Sequence, residues 1–166
     1  MTDVVIRGYS PTDREDCRRL WRELTEWHRQ IYQDPSIGGP HPEDYFDGHL
    51  AEVGADRLWV AVVDSQVVGL VGLMVDEEEA EVEPVIVSQP YRREGIGRRL
   101  METIVSEARR LGMKHLSVRP VARNVEAITF IHELGFTNMG HIEFFMDFTG
   151  RQWRKGLELF GLCFNF

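Results

Sequence analysis

The sequence predicts an α+β domain with about seven strands and about four helices. Seven short segments combine β-branched and aromatic residues, which suit a pleated and partly buried surface. Four others repeat apolar residues at the spacing of one helix face. Of the 166 residues, 43% are hydrophobic, which is enough for a substantial core. We therefore expect one domain spanning residues 1–166.

A short strand and a long helix begin the chain. The strand is expected at Val4–Arg7, and Thr12 and Glu15 then form the pattern of a capping box. The apolar stripe of the helix consists of Cys17, Leu20, Trp21, Leu24, Trp27 and Ile31. Because Cys17 lies on this stripe, we interpret it as a packed thiol and not as a nucleophile.

An irregular segment and two strands follow. Residues 34–48 are rich in proline and glycine, and a short helix is expected to begin near Pro42. Leu58–Val63 and Gln66–Val75 predict two antiparallel strands joined by a tight turn. The first of these is apolar on both faces, which is typical of a central strand.

The middle of the chain predicts a strand, a loop, a helix and another strand. The strand is Val82–Val87, the helix is Ile96–Leu111, and the second strand is Lys114–Val121. A helix between two strands requires a crossover connection, so these strands are expected to be parallel. Pro84 cannot donate a ladder hydrogen bond, which fits a strand whose neighbour is partly missing.

The last third predicts a helix and two strands. The helix Asn124–Leu134 has Asn124 as a suitable N-cap. Gly140–Phe148 alternates apolar residues as a strand does. Gly156–Phe166 reads as a last strand with a bulge near Gly161, where the apolar parity shifts. This strand either closes the sheet, which we favour, or pairs with a second subunit in a homodimer.

The loop before the third helix predicts an anion site. Gly95 and Gly97 lack side chains, so an anion can approach the N–H groups at the start of the helix, while Arg92, Arg93 and Arg98 add positive charge. The pattern lacks the Gly-Lys-Ser/Thr of a P-loop and the third glycine of a dinucleotide fingerprint. Alternatively, the glycines only permit close helix–sheet packing.

Two sequence blocks carry a resemblance to a known family. Residues 92–97 read Arg-Arg-Glu-Gly-Ile-Gly, with Val87 and Tyr91 before them. The second block consists of Asn124, Ala127, Phe130, Gly135 and Phe136. In this order they resemble motifs of the GNAT superfamily of N-acetyltransferases. The resemblance implies the GNAT fold: a central, mixed, mostly antiparallel twisted sheet of about seven strands, flanked by about four helices. In this fold two parallel central strands splay apart around acetyl-coenzyme A (acetyl-CoA).

The resemblance also implies which residues bind this cosubstrate. Main-chain groups of the strand would hold the pantetheine arm, the loop would hold the diphosphate, and an asparagine would add a hydrogen bond. The implied cofactor-binding residues are Val85, Ile86, Val87, Arg92, Arg93, Gly95, Ile96, Gly97, Arg98 and Asn124. A backbone N–H at Val85 or Ile86 would stabilise the developing oxyanion.

A general base is expected on the strand that leads into the loop. Glu81 and Glu83 are two residues apart and therefore face the same side. The resemblance favours Glu83, with Glu81 as the second candidate; alternatively, both are ordinary exposed glutamates. The tyrosine that often serves as the family's acid is replaced by Ile131. His132 is a weak substitute, and Tyr45 or water are others.

In the resembling family, the segment between the first two helices borders the site of the amine acceptor. Tyr32 and Tyr45 are the candidate substrate residues here. Nearby carboxylates that could hold an ammonium group are Asp34, Glu43, Asp44 and Asp47. Alternatively, this is a solvated acidic loop. The formal charge of −8 disfavours nucleic acid as a partner and is compatible with a cationic amine. Alternatively, the charge only keeps the protein soluble.

The expected function is transfer of an acetyl group from acetyl-CoA to a primary amine of a small molecule, peptide or protein, by direct attack in a ternary complex. The alternatives are a non-catalytic acyl-CoA binding or sensing module and a nucleotide-binding module. Two cysteines are too few for a disulfide framework, which favours the cytoplasm. Neither a metal-ligand spacing nor a membrane-spanning apolar run is expected.

Overall fold

A five-stranded sheet organises the computed structural model, which describes residues 3–166. In spatial order its strands are β1 (Val5–Gly8), β2 (Leu58–Val63), β3 (Gln66–Asp76), β4 (Glu79–Val87) and β5 (His115–Val118). Neighbours are antiparallel except β4 and β5, which are parallel as predicted. The α+β class is therefore confirmed, but the sheet has five strands and not about seven, because the last two strands pair only with each other. Met1 and Thr2, which the predicted domain includes, lie outside the described residues.

Four α-helices accompany the strands: α1 (Arg14–Tyr32), α2 (Tyr45–Val53), α3 (Ile96–Arg110) and α4 (Val125–Glu133). All four were predicted, but α1 begins differently from the expected capping box. A 3₁₀ turn, Pro11–Asp13, precedes it, and the N–H of Ser10 donates to the Asp13 carboxylate at 2.8 Å. The carboxylate of Asp13, and not that of Glu15, therefore accepts the hydrogen bond from the backbone N–H at the start of this helical segment.

The main apolar cluster joins α1 and α2 to the sheet. Its buried members are Cys17, Leu20, Phe46, Val53, Leu58, Val60, Val67, Leu70 and Ile86. Cys17 is fully buried, which confirms its prediction as a packed thiol. Burial raises the pKa of this thiol to about 12, because the thiolate would lose its hydration.

Ion pairs connect the outer sides of α1 and α2. Arginines on successive turns of α1 pair with carboxylates of the segment that begins α2: Arg14 and Arg18 with Asp47, Arg18 also with Asp44, and Arg22 with Glu43. The Arg22 pair measures 2.7 Å and holds the pKa of Glu43 at about 2. These ion pairs therefore hold the segment that begins α2 against α1.

The pairing of β4 with its neighbours changes midway along the strand. On one side, β5 pairs only with Glu79–Val82, so the last five residues of β4 extend beyond it. On the other side, the register with β3 shifts, and Glu83 and Pro84 both lie opposite Gly72. This is a β-bulge, which bends the strand where its parallel neighbour ends.

Contacts divide the chain into two units, the first ending at Arg119 and the second comprising Pro120–Phe166. The second unit contains α4 and a hairpin of β6 (Lys155–Leu159) and β7 (Leu162–Asn165). The predicted strand Gly140–Phe148 is wrong, since residues 136–154 form no helix or strand. Apolar alternation favours a strand only where a partner supplies ladder hydrogen bonds.

The predicted last strand, Gly156–Phe166, is also corrected. It is a hairpin whose turn residues Phe160 and Gly161 both have positive φ, 54° and 73°. Two such residues form the type I′ turn, whose twist matches that of paired strands. The parity shift near Gly161 therefore marks a reversal of the chain and not a bulge.

Candidate active site

The loop between β4 and α3 has the backbone geometry of an anion site. Arg93 and Gly95 both have left-handed φ, 69° and 82°, and Gly95 is the N-cap of α3. The first helical hydrogen bond runs from the N–H of Arg99 to the Gly95 oxygen at 3.1 Å. A Cβ at Gly95 would meet no atom within 4 Å. The space over this turn is therefore open to a ligand.

Three N–H groups, those of Ile96, Gly97 and Arg98, precede that first helical bond. Such groups have no acceptor within their own helix and carry the positive end of its dipole. The side chain of Ile96 is buried in the core, so this residue can offer only its backbone. Arg98 is exposed, so its side chain can reach an anion from solvent. These features suit a phosphate group.

Arg92 anchors the loop from within. Its Nε donates to the Val87 carbonyl at 3.0 Å, and its guanidinium lies 5.3 Å from the ring centroid of Trp27 on α1. The sequence predicted a cation for the cosubstrate at this position. The structure adds a second role, because these contacts link the end of β4, the loop and α1.

The end of β4 places main-chain groups beside the loop. Val85, Ile86 and Val87 pair with β3 on one side, whereas β5 ends before reaching them. The Ile86 side chain is buried in the α1–α2 cluster, while Val85 and Val87 are half-buried. Because a strand presents main-chain groups at both edges, the edge away from β3 can pair with an extended ligand.

Glu81 and Glu83 occupy different environments on the same strand. Glu83 is exposed, whereas the Glu81 side chain retains only 18% exposure. Glu81 lies opposite Met74, which packs against the α1–α2 cluster, so its side chain is on the face that α1 and α2 cover. Burial raises the pKa of Glu81, and the nearby Glu83 adds to this, while Arg119 at 3.1 Å opposes it.

A buried histidine that the sequence did not predict as a site residue lies beside this pair. His49 of α2 is 7% exposed, and its Nε2 lies 2.9 Å from the carbonyl oxygen of Glu83. The signal was a single polar residue on the buried face of α2, between Phe46 and Val53. Spacing alone did not distinguish it from an ordinary surface histidine.

The predicted substrate residues lie at the ends of two helices. Tyr32 is the last residue of α1, and Tyr45 is the first of α2, with 60% exposure. Among the nearby carboxylates, those of Glu43, Asp44 and Asp47 are already paired with arginines of α1. This pairing reduces their capacity to bind a ligand ammonium group.

The second unit holds the remaining predicted residues. Asn124 is the N-cap of α4, and its side chain accepts a hydrogen bond from the N–H of Ala127 at 3.1 Å, which confirms the predicted cap. Its contact with the cosubstrate stays a prediction. Ile131, at the family's tyrosine position, is buried, and the neighbouring His132 is exposed.

Residues 3–166 contain neither a candidate metal site nor a candidate membrane span. No group of three or more histidine, cysteine, aspartate or glutamate residues is arranged to hold a metal ion within that range. Within the same part of the chain, no helix is both long and apolar enough to cross a membrane.

Comparison with known proteins identifies similar sequences. Residues 21–136 match the model of the acetyltransferase (GNAT) family. A curated relative, N-acetyltransferase family 8 member 3 of Rattus norvegicus, is 26% identical over 116 residues. That match covers 66% of this chain and 48% of the relative, so the chain spans about half the relative's length.

Solved structures share the fold. Ard1 from Thermoplasma volcanium superposes with a TM-score of 0.66 at 24% identity, covering 82% of this chain and 84% of that protein. The PaiA N-acetyltransferase from Thermoplasma acidophilum, crystallised with coenzyme A, gives a TM-score of 0.66 at 17% identity over 79% and 87% of the two chains.

Proposed function

The chain belongs to the acetyltransferase (GNAT) family, and we propose that it transfers an acetyl group from acetyl-CoA to a primary amine. The observation that carries this proposal is the start of α3. Its first N–H groups follow an open, left-handed Gly95 and lie next to the strand end that β5 leaves unpaired. A diphosphate suits the first feature, and an extended amide-containing arm suits the second.

The residues suited to this cosubstrate are those of the strand end and the loop. The N–H groups of Ile96, Gly97 and Arg98 would bind the diphosphate, with the side chains of Arg93 and Arg98 adding charge. Val85 and Val87 would pair with the pantetheine amides through their main chains. On the resemblance alone, Asn124 is proposed to add a hydrogen bond to the cosubstrate. Acetyl-CoA itself supplies a thioester, whose carbonyl carbon is open to attack by an amine.

The chain must supply a base, because a free alkyl amine is protonated at neutral pH. Glu81 and Glu83 are the proposed candidates, acting directly or through a water molecule. The sequence favoured Glu83, but burial raises the pKa of the largely covered Glu81, and a raised pKa makes its carboxylate a stronger base. We therefore propose Glu81 as an equal candidate.

The transfer balances without a covalent enzyme intermediate. The amine nitrogen bonds to the carbonyl carbon, the carbon–sulfur bond breaks, and the amine proton passes to the carboxylate. A backbone N–H at Val85 or Ile86 would stabilise the oxyanion. The thiolate then takes a proton through water, and the carboxyl group releases the amine proton to solvent, which closes the balance. Water has this role because the family's tyrosine position holds a buried isoleucine.

Release of free thiol in the presence of a panel of primary amines tests this function. We expect steady turnover with at least one amine, a reduction of roughly 10²-fold or more in Glu81→Gln or Glu83→Gln, and little change in Glu79→Gln. Glu79 is the matched control, because it lies on the same strand but is 75% exposed. Turnover that survives the double substitution would contradict the assigned base.

The alternative is a module that binds an acyl-CoA without catalysis. The buried Ile131 favours it, because no proton donor occupies that position. Tight binding of acetyl-CoA without thiol release for any amine would support this alternative. Competition by ATP or NAD at similar affinity would instead indicate a nucleotide-binding site.

A further inference from the structure

His49 occupies an unusual position on α2. Phe46, His49 and Val53 form the buried face of the helix, and the first and third belong to the apolar cluster. An imidazole there costs desolvation unless it has a hydrogen-bond partner. The partner is the Glu83 carbonyl on β4, 2.9 Å from Nε2, so the histidine links α2 to the sheet.

The carbonyl that receives this bond lies in the β-bulge. Glu83 and Pro84 together face Gly72, where a Cβ would come within 2.3 Å of the Glu83 oxygen. Only glycine therefore allows β4 to approach β3 so closely at this point. A bulge interrupts the regular ladder of backbone hydrogen bonds. A side-chain donor therefore affects the position of a carbonyl more at the bulge than in the middle of a regular strand.

The direction of the bond determines the state of the imidazole. A carbonyl oxygen only accepts, so Nε2 must carry the proton and donate it. Burial lowers the pKa of His49, which favours the neutral ring, and a neutral ring protonated at Nε2 has no proton on Nδ1. The ring is further held by Trp21, whose centroid is 5.0 Å away.

The helix that carries His49 is itself fixed. On its outer side, Asp47 accepts from Arg14 at 2.8 Å and also pairs with Arg18. On its inner side, Phe46 packs against Trp21 with the ring centroids 6.2 Å apart. Because contacts on both sides fix α2, the hydrogen bond from His49 fixes the bulge of β4 relative to α1 and α2.

We propose that His49 is a positioning residue for the acetyl-transfer reaction. Its Nε2–H fixes the Glu83 peptide, and this sets the direction of the Glu81 and Glu83 carboxylates relative to the strand end that begins at Val85. This inference rests on the proposed function, but it concerns a residue outside the groups proposed above to bind the cosubstrate or accept the proton. Loss of the bond is expected to misplace the base, and a displacement of about 1 Å can reduce a rate by roughly 10²-fold.

The test compares His49→Phe, which keeps a ring but lacks the donor, with His49→Gln, which keeps an N–H. His28→Phe is the matched control, because His28 is another partly buried histidine whose pKa burial lowers, and it lies on α1. For His49→Phe we expect kcat to fall roughly tenfold or more, while the KM for acetyl-CoA and the Kd for coenzyme A stay within about twofold. His49→Gln is expected to recover most of the loss, and His28→Phe to behave as wild type.

A spectroscopic measurement keeps the test independent of turnover. Nitrogen NMR of the wild-type protein at neutral pH is expected to show His49 as the Nε2–H tautomer. The opposite tautomer, or an unchanged kcat in folded His49→Phe, would overturn the positioning role. A fall in kcat that equals the loss of folded protein would overturn it too. Absence of thiol release by wild-type protein would instead overturn the proposed function, and the positioning role with it.

Discussion

Glu81 on β4 and Arg119, one residue beyond the end of β5, form an ion pair with Oε2 and Nη1 separated by 3.1 Å. The carboxylate is largely covered, with 18% exposure, while the arginine is 78% exposed. Burial and the positive charge of Arg119 therefore shift the pKa of Glu81 in opposite directions. Burial favours the neutral acid and dominates, whereas Arg119 favours the carboxylate.

This pair predicts how activity depends on pH. A base must be deprotonated, so kcat/KM should rise with pH through the pKa of Glu81, above the ordinary carboxyl range. Arg119→Ala removes a charge that lowers this pKa, so the rise of kcat/KM should occur at higher pH in this variant. High salt should reduce the difference, because Arg119 is exposed. A rise that occurs at lower pH in Arg119→Ala would contradict this role for Glu81.

The turn at Gly95 predicts a separable effect on binding and stability. Gly95→Ala places a Cβ in the open space over the turn, at φ 82°, and should weaken coenzyme A binding roughly tenfold. Gly112→Ala is the matched control, since its φ is 75°, its Cβ would also meet nothing within 4 Å, and it follows the other end of α3. Each substitution should cost about 1 kcal/mol of stability through left-handed strain.

Calorimetric titration with coenzyme A and thermal unfolding distinguish the two effects. Both variants should lose similar stability, but only Gly95→Ala should bind more weakly. Equal loss of affinity in both would mean that strain, and not the position of the turn, explains the result.

The two cysteines predict one reactive thiol in the folded protein. Cys17 is fully buried with a pKa of about 12, so almost no thiolate forms near neutral pH, whereas Cys163 is exposed. Titration with a thiol reagent at pH 8 should therefore detect one thiol in native protein and two after denaturation. Cys163→Ser should abolish the native signal and Cys17→Ser should preserve it. Fast labelling of Cys17 would contradict its place in the core.

The ion pairs between α1 and α2 predict a salt-sensitive contribution to stability. Asp47 accepts from Arg14 at 2.8 and 2.9 Å and pairs with Arg18, so Asp47→Asn should lower Tm by a few degrees at low salt. Glu15→Gln serves as the control, because Glu15 pairs with the same Arg14 but is 80% exposed, and its effect should be small. Differential scanning fluorimetry at low and high salt checks both. An equal effect of the two variants would contradict a special role for Asp47.

Local signals predicted the region around the loop well. The helix from Ile96 and its N-terminal glycine were readable because apolar periodicity and backbone freedom act over a few neighbouring residues. The packed state of Cys17 was readable for the same reason, since it lies on a regular stripe. By contrast, Gly140–Phe148 has the alternation of a strand but forms none. Its alternation could not indicate whether a pairing partner exists.

The chemistry of β4 was only partly readable. Spacing placed Glu81 and Glu83 on one face, but their different exposures follow from packing with α1 and α2. The contact of His49 with Glu83 joins residues 34 positions apart, so no local pattern contains it. The contact of Arg92 with Trp27 joins residues that are still farther apart along the chain.

By itself, the sequence determined the strand, the glycine-containing turn and the helix that follows, because each depends on properties of adjacent residues. Only the tertiary structure decided which carboxylate is covered, where β5 stops beside β4, and which side chain holds the bulge. Those outcomes depend on desolvation and on hydrogen bonds between distant segments, and both exist only once the chain has folded.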